Sequence, residues 1–232
     1  MKNPLFVALD VDTEKEAMRI VDLTASYVGG YKVGPRLVVR YGEKLLKELV
    51  TRAPLFIDNK YFDIPNTMEG AIRASFEMGA SYATIHAQSG KEAMSRLAAV
   101  EKELNQERPF KILAVTILTS FTSQTLPGIL KPASISEMVL ELAKLTLQSG
   151  LTGLVCSPEE TKMLRQKFPE AYLLVPGIRM EGNDLGDQKR VADPASALKA
   201  GASALVVGRP ICQADNPAQA AKQYLDVIQN IG

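Results

Sequence analysis

Short apolar runs alternate with longer amphipathic stretches along the whole chain. Runs of this length that are rich in Val, Ile and Leu predict strands buried on both faces, and the stretches between them have a helical period. The predicted strands are residues 5–10, 31–34, 55–60, 82–87, 111–117, 153–157, 172–177 and 204–208.

Local signals support helices between these strands, the first over 14–28. Thr13 and Glu16 have the spacing of a capping box, and the helical stretches 134–150 and 193–201 both end in glycine. Alternating strands and helices predict a parallel sheet covered by helices, and eight such units predict closure into a single-domain (β/α)₈ TIM barrel over residues 1–232. An open, doubly wound sheet is the alternative.

Composition narrows the possible partners. The chain is 46% apolar and 23% charged with a net charge of +1, which argues against a nucleic-acid or other polyanion binder. It has no apolar run of 18 residues and no signal peptide at its start, so no membrane partner is expected.

Cys156 and Cys212 have no metal-site spacing and favour a reducing cytoplasm. His86 is the single histidine, which argues against a histidine-based triad or metal site.

Polar side chains stand at or just after the ends of most predicted strands. They are Asp10, Lys32, Asp58, Lys60, His86, Thr119, Ser157, Arg179 and Arg209. The carboxyl ends of barrel strands open onto one mouth, which carries the active site in this fold. The sequence therefore predicts a single polar site at that mouth.

The third strand end is the most informative. Asp58 and Lys60 are two residues apart, so regular alternation predicts that their side chains share a face. Lys32 ends the neighbouring strand, and Asp63 follows in the loop before a helix near Pro65. We expect an alternating row of Lys32, Asp58, Lys60 and Asp63. Opposite charges would keep these groups ionised, and Lys60 could then deliver a proton to a developing carbanion.

Each of these residues also has a purely structural interpretation. Asp58 and Lys60 could form a structural ion pair, since such networks are common at strand ends. Asp63 could cap the following helix, and Lys32 could be a surface lysine whose stem packs on apolar groups.

The last two strand ends predict a phosphate site. Arg179 and Arg209 follow strands seven and eight, whose loops frequently hold a phosphate in this fold. The polar stretch 180–190 contains two glycines and is long enough to move as a lid. An ordinary surface loop with solvated arginines is the alternative. Thr119 and Ser120 could offer hydroxyls to a base or sugar, or could belong to a turn.

Several segments together resemble the orotidine 5′-phosphate decarboxylase family, bacterial type. They are 8–10, 32–34, 58–67, 118–120, 176–179, 186–190 and 207–209, in the family's order and over nearly the whole chain. The DxKxxD pattern is shared with sibling barrels that act on sugar phosphates, whereas DIPNT, GIR, GDQ and VGRPI together are specific to the decarboxylase. The chain departs from the family at Asn59, where leucine is frequent, and at Tyr61–Phe62, where many members have a histidine before the aspartate.

The resemblance implies conversion of orotidine 5′-phosphate (OMP) to uridine 5′-phosphate (UMP) and CO₂ without a metal or organic cofactor. It implies that Lys60 is the proton donor to C6, that Asp58 lies near the departing carboxylate and that Lys32 holds the charges together. Asp63 would enter the partner's site in a homodimer. The implied substrate-binding residues are Asp10, Lys32, Asp58, Lys60, Asp63, Ile64, Thr67, Thr119, Ser120, Pro176, Arg179, Gln188, Gly208 and Arg209.

Two other functions are compatible with such a barrel. A metal-dependent sibling, a sugar-phosphate decarboxylase or aldolase, would need acidic Mg²⁺ ligands at neighbouring strand ends. The fourth strand ends in His86-Ala87-Gln88, which contains no carboxylate, and the first strand offers only Asp10. This shortage of acidic ligands disfavours a metal-dependent function. A non-catalytic sensor of phosphate ligands is also disfavoured, because it would retain costly buried charges for no chemistry.

Overall fold

The apolar runs form eight parallel strands that close into a barrel in chain order. The structure is a computed structural model that describes residues 3–130, 134–180 and 190–231. Because β1 pairs with both β2 and β8, the sheet has no open edge, so the barrel prediction is confirmed and the open sheet is wrong. The strands are β1 (Leu5–Ala8), β2 (Gly30–Val33), β3 (Leu55–Tyr61), β4 (Tyr82–His86), β5 (Lys111–Val115), β6 (Gly153–Val155), β7 (Tyr172–Val175) and β8 (Ala204–Val207).

Helices cover the outside of the barrel. Those in the described segments are α1 (Glu14–Thr24), α2 (Pro35–Val50), α3 (Pro65–Glu77), α4 (Gly90–Leu104), α5 (Ile135–Gln148), α6 (Pro158–Lys167), α7 (Pro194–Lys199), α8 (Arg209–Cys212) and α9 (Pro217–Gln229). None of these helices is long and apolar enough to cross a lipid bilayer.

The helix ends follow the local signals in the sequence. The hydroxyl of Thr13 accepts a hydrogen bond from the backbone N–H of Glu16 at the start of α1, at 3.2 Å, which is the N-cap half of the capping box predicted there. Ser134 makes a complete capping box at the start of α5, which was not predicted from the sequence. Gly150 and Gly201, with φ of 95° and 103°, follow α5 and α7 in the left-handed conformation that glycine tolerates without strain.

Several elements end earlier than predicted. β1 ends at Ala8 instead of residue 10, and β5 ends at Val115 instead of residue 117. α1 ends at Thr24 and is followed by a 3₁₀ turn over 25–27. The residues just beyond these two strands, Asp10 after β1 and Ile117 after β5, line a cavity at the barrel mouth.

Each strand buries both of its faces, which explains the continuous apolar runs. In β1, Leu5 and Val7 pack outward with the helices, whereas Phe6 and Ala8 belong to a separate cluster inside the barrel. That interior cluster consists of Phe6, Ala8, Phe56, Leu113, Leu174, Ala204 and Val206. Aromatic rings fill the amino-terminal half of the barrel, with Phe6 and Tyr82 edge to face at 5.3 Å. The open end is therefore the carboxyl-terminal one.

Candidate active site

A cavity of about 590 Å³ opens at the carboxyl ends of the strands, a size typical of small-molecule sites. Apolar residues of the barrel interior, such as Phe56 and Leu174, form its floor. The structure brings most of the predicted site residues together on its walls, namely Asp10, Lys32, Asp58, Lys60, Thr119, Ser120, Pro176, Arg179, Gly208 and Arg209. Cavity residues that sequence reasoning missed, such as Val155 and Cys156, are apolar strand ends without a distinguishing signal.

Four charged side chains form a continuous chain across β1, β2 and β3. The Lys32 ammonium lies 3.1 Å from Asp10 and 3.3 Å from Asp58, and the Lys60 ammonium lies 2.9 Å from Asp58. We call Asp10–Lys32–Asp58–Lys60 the charge chain. Its two inner side chains are only 11% and 12% exposed, whereas that of Lys60 is 36% exposed toward the cavity. Both ammonium groups line the cavity, and that of Lys60 is the more exposed of the two.

Electrostatics keep the two inner groups ionised. Burial by itself would lower the pKa of Lys32, but attraction by Asp58 and then by Asp10 outweighs it and raises that pKa above its usual value. Burial would raise the pKa of Asp58, but Lys32 and Lys60 together hold it below its usual value. The opposite charges therefore stabilise each other in a site that neither would tolerate alone.

The backbone at Lys60 differs from the regular strand predicted from sequence. Among the described residues, Lys60 is the one non-glycine residue with a left-handed backbone, at φ 50°. The register shifts beside it, because Ile57 pairs with Ala83 while Tyr61 pairs with Ile85. Regular alternation thus fails at this position, and the ion pair with Asp58 forms across a bulge. Left-handed backbone at a non-glycine residue costs on the order of 1–3 kcal/mol and is found mostly at functional sites.

Thr84 of β4 lies against this bulge. Its hydroxyl accepts a hydrogen bond from the backbone N–H of Lys60 at 2.9 Å and donates one to Oδ1 of Asp58 at 3.0 Å. The side chain is fully buried. Sequence reasoning missed Thr84 because a threonine inside a strand resembles any other β-branched residue there.

The predicted phosphate residues line the cavity at β7 and β8. Arg179 follows β7 and is buried, with 7% of its surface exposed, so its alternative interpretation as a solvated arginine is wrong. Its guanidinium donates to the carbonyl of Ile178 at 2.8 Å. Arg209 begins α8 and is half-buried. Gln188 and most of the predicted lid lie outside the described residues.

A buried ion pair that was not predicted supports the loop after β5. Arg190 lies 2.5 Å from Glu160 of α6, and their side chains are 5% and 3% exposed. Arg190 also donates to the carbonyls of Ile117 and Leu118 at 3.1 and 3.0 Å. Ser157 donates to the other oxygen of Glu160. These contacts hold the segment that leads directly into Thr119.

Three predicted site residues do not line the cavity of their own chain. Asp63, Ile64 and Thr67 are exposed on the loop after β3 and the first turn of α3. Asp63 accepts a hydrogen bond from the N–H of Ile64 at 2.7 Å. The residue preceding α3 is Ile64, and no side chain caps this helix, so the capping interpretation of Asp63 is wrong. Within one chain, the row of charges therefore runs from Asp10 to Lys60 and does not include Asp63.

His86 ends β4 beside the site. Its Nδ1 accepts a weak hydrogen bond from the backbone of Gln88 at 3.4 Å, and its ring lies 5.8 Å from that of Phe62. Burial and then the positive charge of Lys60 lower its pKa below the usual value. His86 is thus a hydrogen-bonded strand-end residue whose surroundings disfavour the protonated imidazole.

Comparison with known proteins identifies the family. A sequence model of the orotidine 5′-phosphate decarboxylase / HUMPS family matches residues 3–224. The chain belongs to this family. A relative named orotidine 5′-phosphate decarboxylase from Gloeothece citriformis is 43% identical over 230 residues, 98% of either chain. One of the same name from Aliivibrio fischeri is 42% identical over 217 residues, 93% of this chain and 92% of the relative.

A solved structure agrees in fold as well as in sequence. The crystal structure of orotidine 5′-phosphate decarboxylase from Lactobacillus acidophilus has a TM-score of 0.84 and 31% identity, and the match covers 97% of this chain and 99% of that one. The whole barrel, including the strand ends that line the cavity, therefore lies within the similarity.

The departures from the family pattern lie outside the charge chain. Asn59 donates a hydrogen bond to the Tyr61 hydroxyl at 3.0 Å, and that hydroxyl lies 3.1 Å from Ser75 of α3. The Asn59 side-chain N–H thus bonds to Tyr61, the other position that departs from the family pattern, although Oδ1 of Asn59 has no hydrogen-bond partner among the described residues.

Within residues 3–130, 134–180 and 190–231, no three potential metal ligands are grouped closely enough to hold an ion.

Proposed function

We propose that this chain decarboxylates OMP to UMP and CO₂, the last step of UMP synthesis, with Lys60 as the proton donor. The observation that carries the proposal is the charge chain, which presents the Lys60 ammonium to a cavity that is also lined by two arginines. Membership of the family and the names of similar relatives support the same reaction. The enzyme is a carboxy-lyase.

Strand order suggests how the nucleotide would lie. β3, which carries Lys60, is half of the barrel away from β7, which leads to Arg179. A nucleotide with its phosphate at Arg179, Gly208 and Arg209 would span the mouth and bring its base toward Lys60. The hydroxyls of Thr119 and Ser120 would then contact the pyrimidine. Asp10 and Lys32 would contact the ribose.

The chemical step needs charge stabilisation at one carbon. The bond from C6 to the carboxyl carbon breaks, CO₂ leaves, and the electron pair remains on C6 as a vinylic carbanion. The Lys60 ammonium stabilises that charge and transfers a proton to C6, after which the neutral amine regains a proton from water. Fixed charges aimed at a developing charge usually make the greatest single contribution to catalysis. Asp58, held ionised by Lys32, keeps the Lys60 ammonium in place beside the leaving group.

We also propose a homodimer in which Asp63 reaches the partner's site. Asp63 is exposed in its own chain, together with Ile64 and Thr67 of the same segment. It is flanked by Phe62 and Ile64, which are large apolar residues with 63% and 66% of their surfaces exposed. A partner that covered these two side chains would remove their apolar surface from water, which favours association. A two-fold dimer would give two identical composite sites.

A cytoplasmic location is part of the proposal. Cys156 and Cys212 are both free and buried, and burial raises the pKa of each thiol to about 12. Free thiols without a disulfide framework are typical of reducing compartments. Fractionation of the source cells, followed by detection of the native protein, tests this location.

The activity test uses purified protein, OMP and an excess of EDTA, with ultraviolet absorbance followed as UMP forms. Turnover with the chelator present supports the proposal. Activity that is lost on chelation and restored by magnesium would support a metal-dependent sibling function instead. Tight binding of UMP without turnover of OMP would support a sensor.

The dimer test combines two inactive variants. Asp63→Ala and Lys60→Ala chains are mixed and allowed to exchange, and exchange is verified by native mass spectrometry. A mixed dimer would have one site with both lesions and one with neither. Random exchange should therefore restore about a quarter of the sites. Verified exchange without recovery of activity would show that Asp63 works within its own subunit.

A further inference from the structure

We propose that Thr84 is a positioning residue that aims the Lys60 ammonium by holding both the Lys60 backbone and the Asp58 carboxylate. This inference rests on the proposed role of Lys60. It concerns a residue of β4 that lines no part of the cavity and would not touch the substrate.

The strand pairing shows why a side chain is needed at this place. Between the pairs Ile57–Ala83 and Tyr61–Ile85, three residues of β3 stand opposite the single residue Thr84. Such a bulge interrupts the regular ladder of backbone hydrogen bonds. The hydroxyl of Thr84 replaces the missing backbone acceptor for Lys60, because it accepts a hydrogen bond from the Lys60 N–H at 2.9 Å. A buried N–H without an acceptor would be destabilising.

The same hydroxyl fixes the orientation of the Asp58 carboxylate. Thr84 donates to Oδ1 at 3.0 Å, while Oδ2 faces both lysines, Lys32 at 3.3 Å and Lys60 at 2.9 Å. The hydrogen bond from Thr84 to Oδ1 restrains rotation of the carboxylate, so Oδ2 stays directed at the Lys60 ammonium. Thr84 therefore holds Lys60 at two points, through its backbone and through its counter-ion.

A hydroxyl is the group that this place requires. It combines one donor with acceptor lone pairs, so it can accept from an amide and donate to a carboxylate at once. Thr84 is fully buried. Valine has nearly the same shape but offers neither function. The left-handed backbone of Lys60 adds to the requirement, because a strained conformation persists only where its surroundings hold it.

The test compares Thr84→Val with Thr84→Ser, which keeps the hydroxyl, and with Thr116→Val as a matched control. Thr116 is also fully buried, and its hydroxyl donates to the carbonyl of Val155 at 2.9 Å, away from the charge chain. Small misplacement of a catalytic group can cost about 100-fold in rate, so we expect kcat of Thr84→Val on OMP to fall by roughly 30- to 100-fold. The Kd for UMP should stay within about threefold, because the phosphate contacts persist. Thr84→Ser should recover most of kcat, and Thr116→Val should remain near wild type.

The outcomes separate this inference from the proposed function. If wild type does not turn over OMP, the proposed function fails and Thr84 is not at issue. If wild type is active and Thr84→Val keeps kcat, or loses as much as Thr84→Ser, the positioning role is wrong. An equal loss in Thr116→Val would show that any buried hydroxyl has this effect and would also overturn it. If Thr84→Val does not fold, Thr84→Ala replaces it, with the same expected contrast to Thr84→Ser.

Discussion

The buried pair of Glu160 and Arg190 permits a prediction of stability with a worked magnitude. Both side chains are at most 5% exposed, so neither charge can turn to water when its partner is removed. Breaking a buried ion pair costs about 3–5 kcal/mol, because the remaining charge is left uncompensated. At an unfolding entropy of about 2.1 cal/mol/K per residue, a chain of 232 residues loses roughly 2 °C of Tm per kcal/mol. Glu160→Leu should therefore lower Tm by about 6–10 °C.

Thermal unfolding by circular dichroism, without ligand, measures this effect. The double variant Glu160→Leu/Arg190→Met should lose about 1–3 kcal/mol, less than Glu160→Leu alone, because only neutral hydrogen-bond partners are then left unsatisfied. Asp226→Asn is the control, since it breaks an exposed pair with Lys222 in which the side chains are 47% and 57% exposed. Such an exposed pair is screened by solvent and contributes little to the free energy of unfolding. A Tm for Glu160→Leu within the range of this control would refute the reasoning.

Three further predictions concern the site. Lys60→Ala should lower kcat by more than about 1000-fold while UMP still binds, since it removes both charge stabilisation and the proton donor; retention of a tenth of kcat would refute the assignment. Arg209→Ala should lower kcat/KM on OMP by about 100-fold but leave that on the phosphate-free nucleoside orotidine unchanged, whereas equal losses would place its action elsewhere. The NMR titration of His86, the single histidine, should have its midpoint below about 6.5 and move upward in Lys60→Ala. Folding lowers the pKa of His86, so the contribution of this side chain to the free energy of unfolding is present above about pH 6.5 and is lost as the pH falls through the pKa of the folded state. A titration midpoint at or above 6.5 would contradict the burial of the ring.

The barrel was predictable because each strand is buried on both faces. That burial requires runs such as 5–8 and 204–207 to be apolar throughout, and the helices between them keep their own period. Since all strands run the same way, the residues that follow them must meet at one mouth. Lys32, Asp58 and Arg179 could therefore be assigned to one cavity before any distance was known.

The precise lengths of the strands and the shape of the third one were not predictable in this way. The strand pattern contains no sign that the backbone at Lys60 is left-handed, because alternation of side chains assumes a regular ladder. The pairing of Asn59 with Tyr61 is also invisible in the sequence, although both positions depart from the family pattern. Their contact depends on the bulge between them.

The sequence by itself thus determined the fold class, the end of the barrel that carries the site, and the charged residues available there. Only the tertiary structure decided which groups touch, such as Thr84 with Asp58 and Arg190 with Glu160, residues 26 and 30 positions apart. The physical reason is that periodicity records whether a position is buried, which is a local property. Contacts between strands depend on register and on bulges, which the packing of the whole barrel sets.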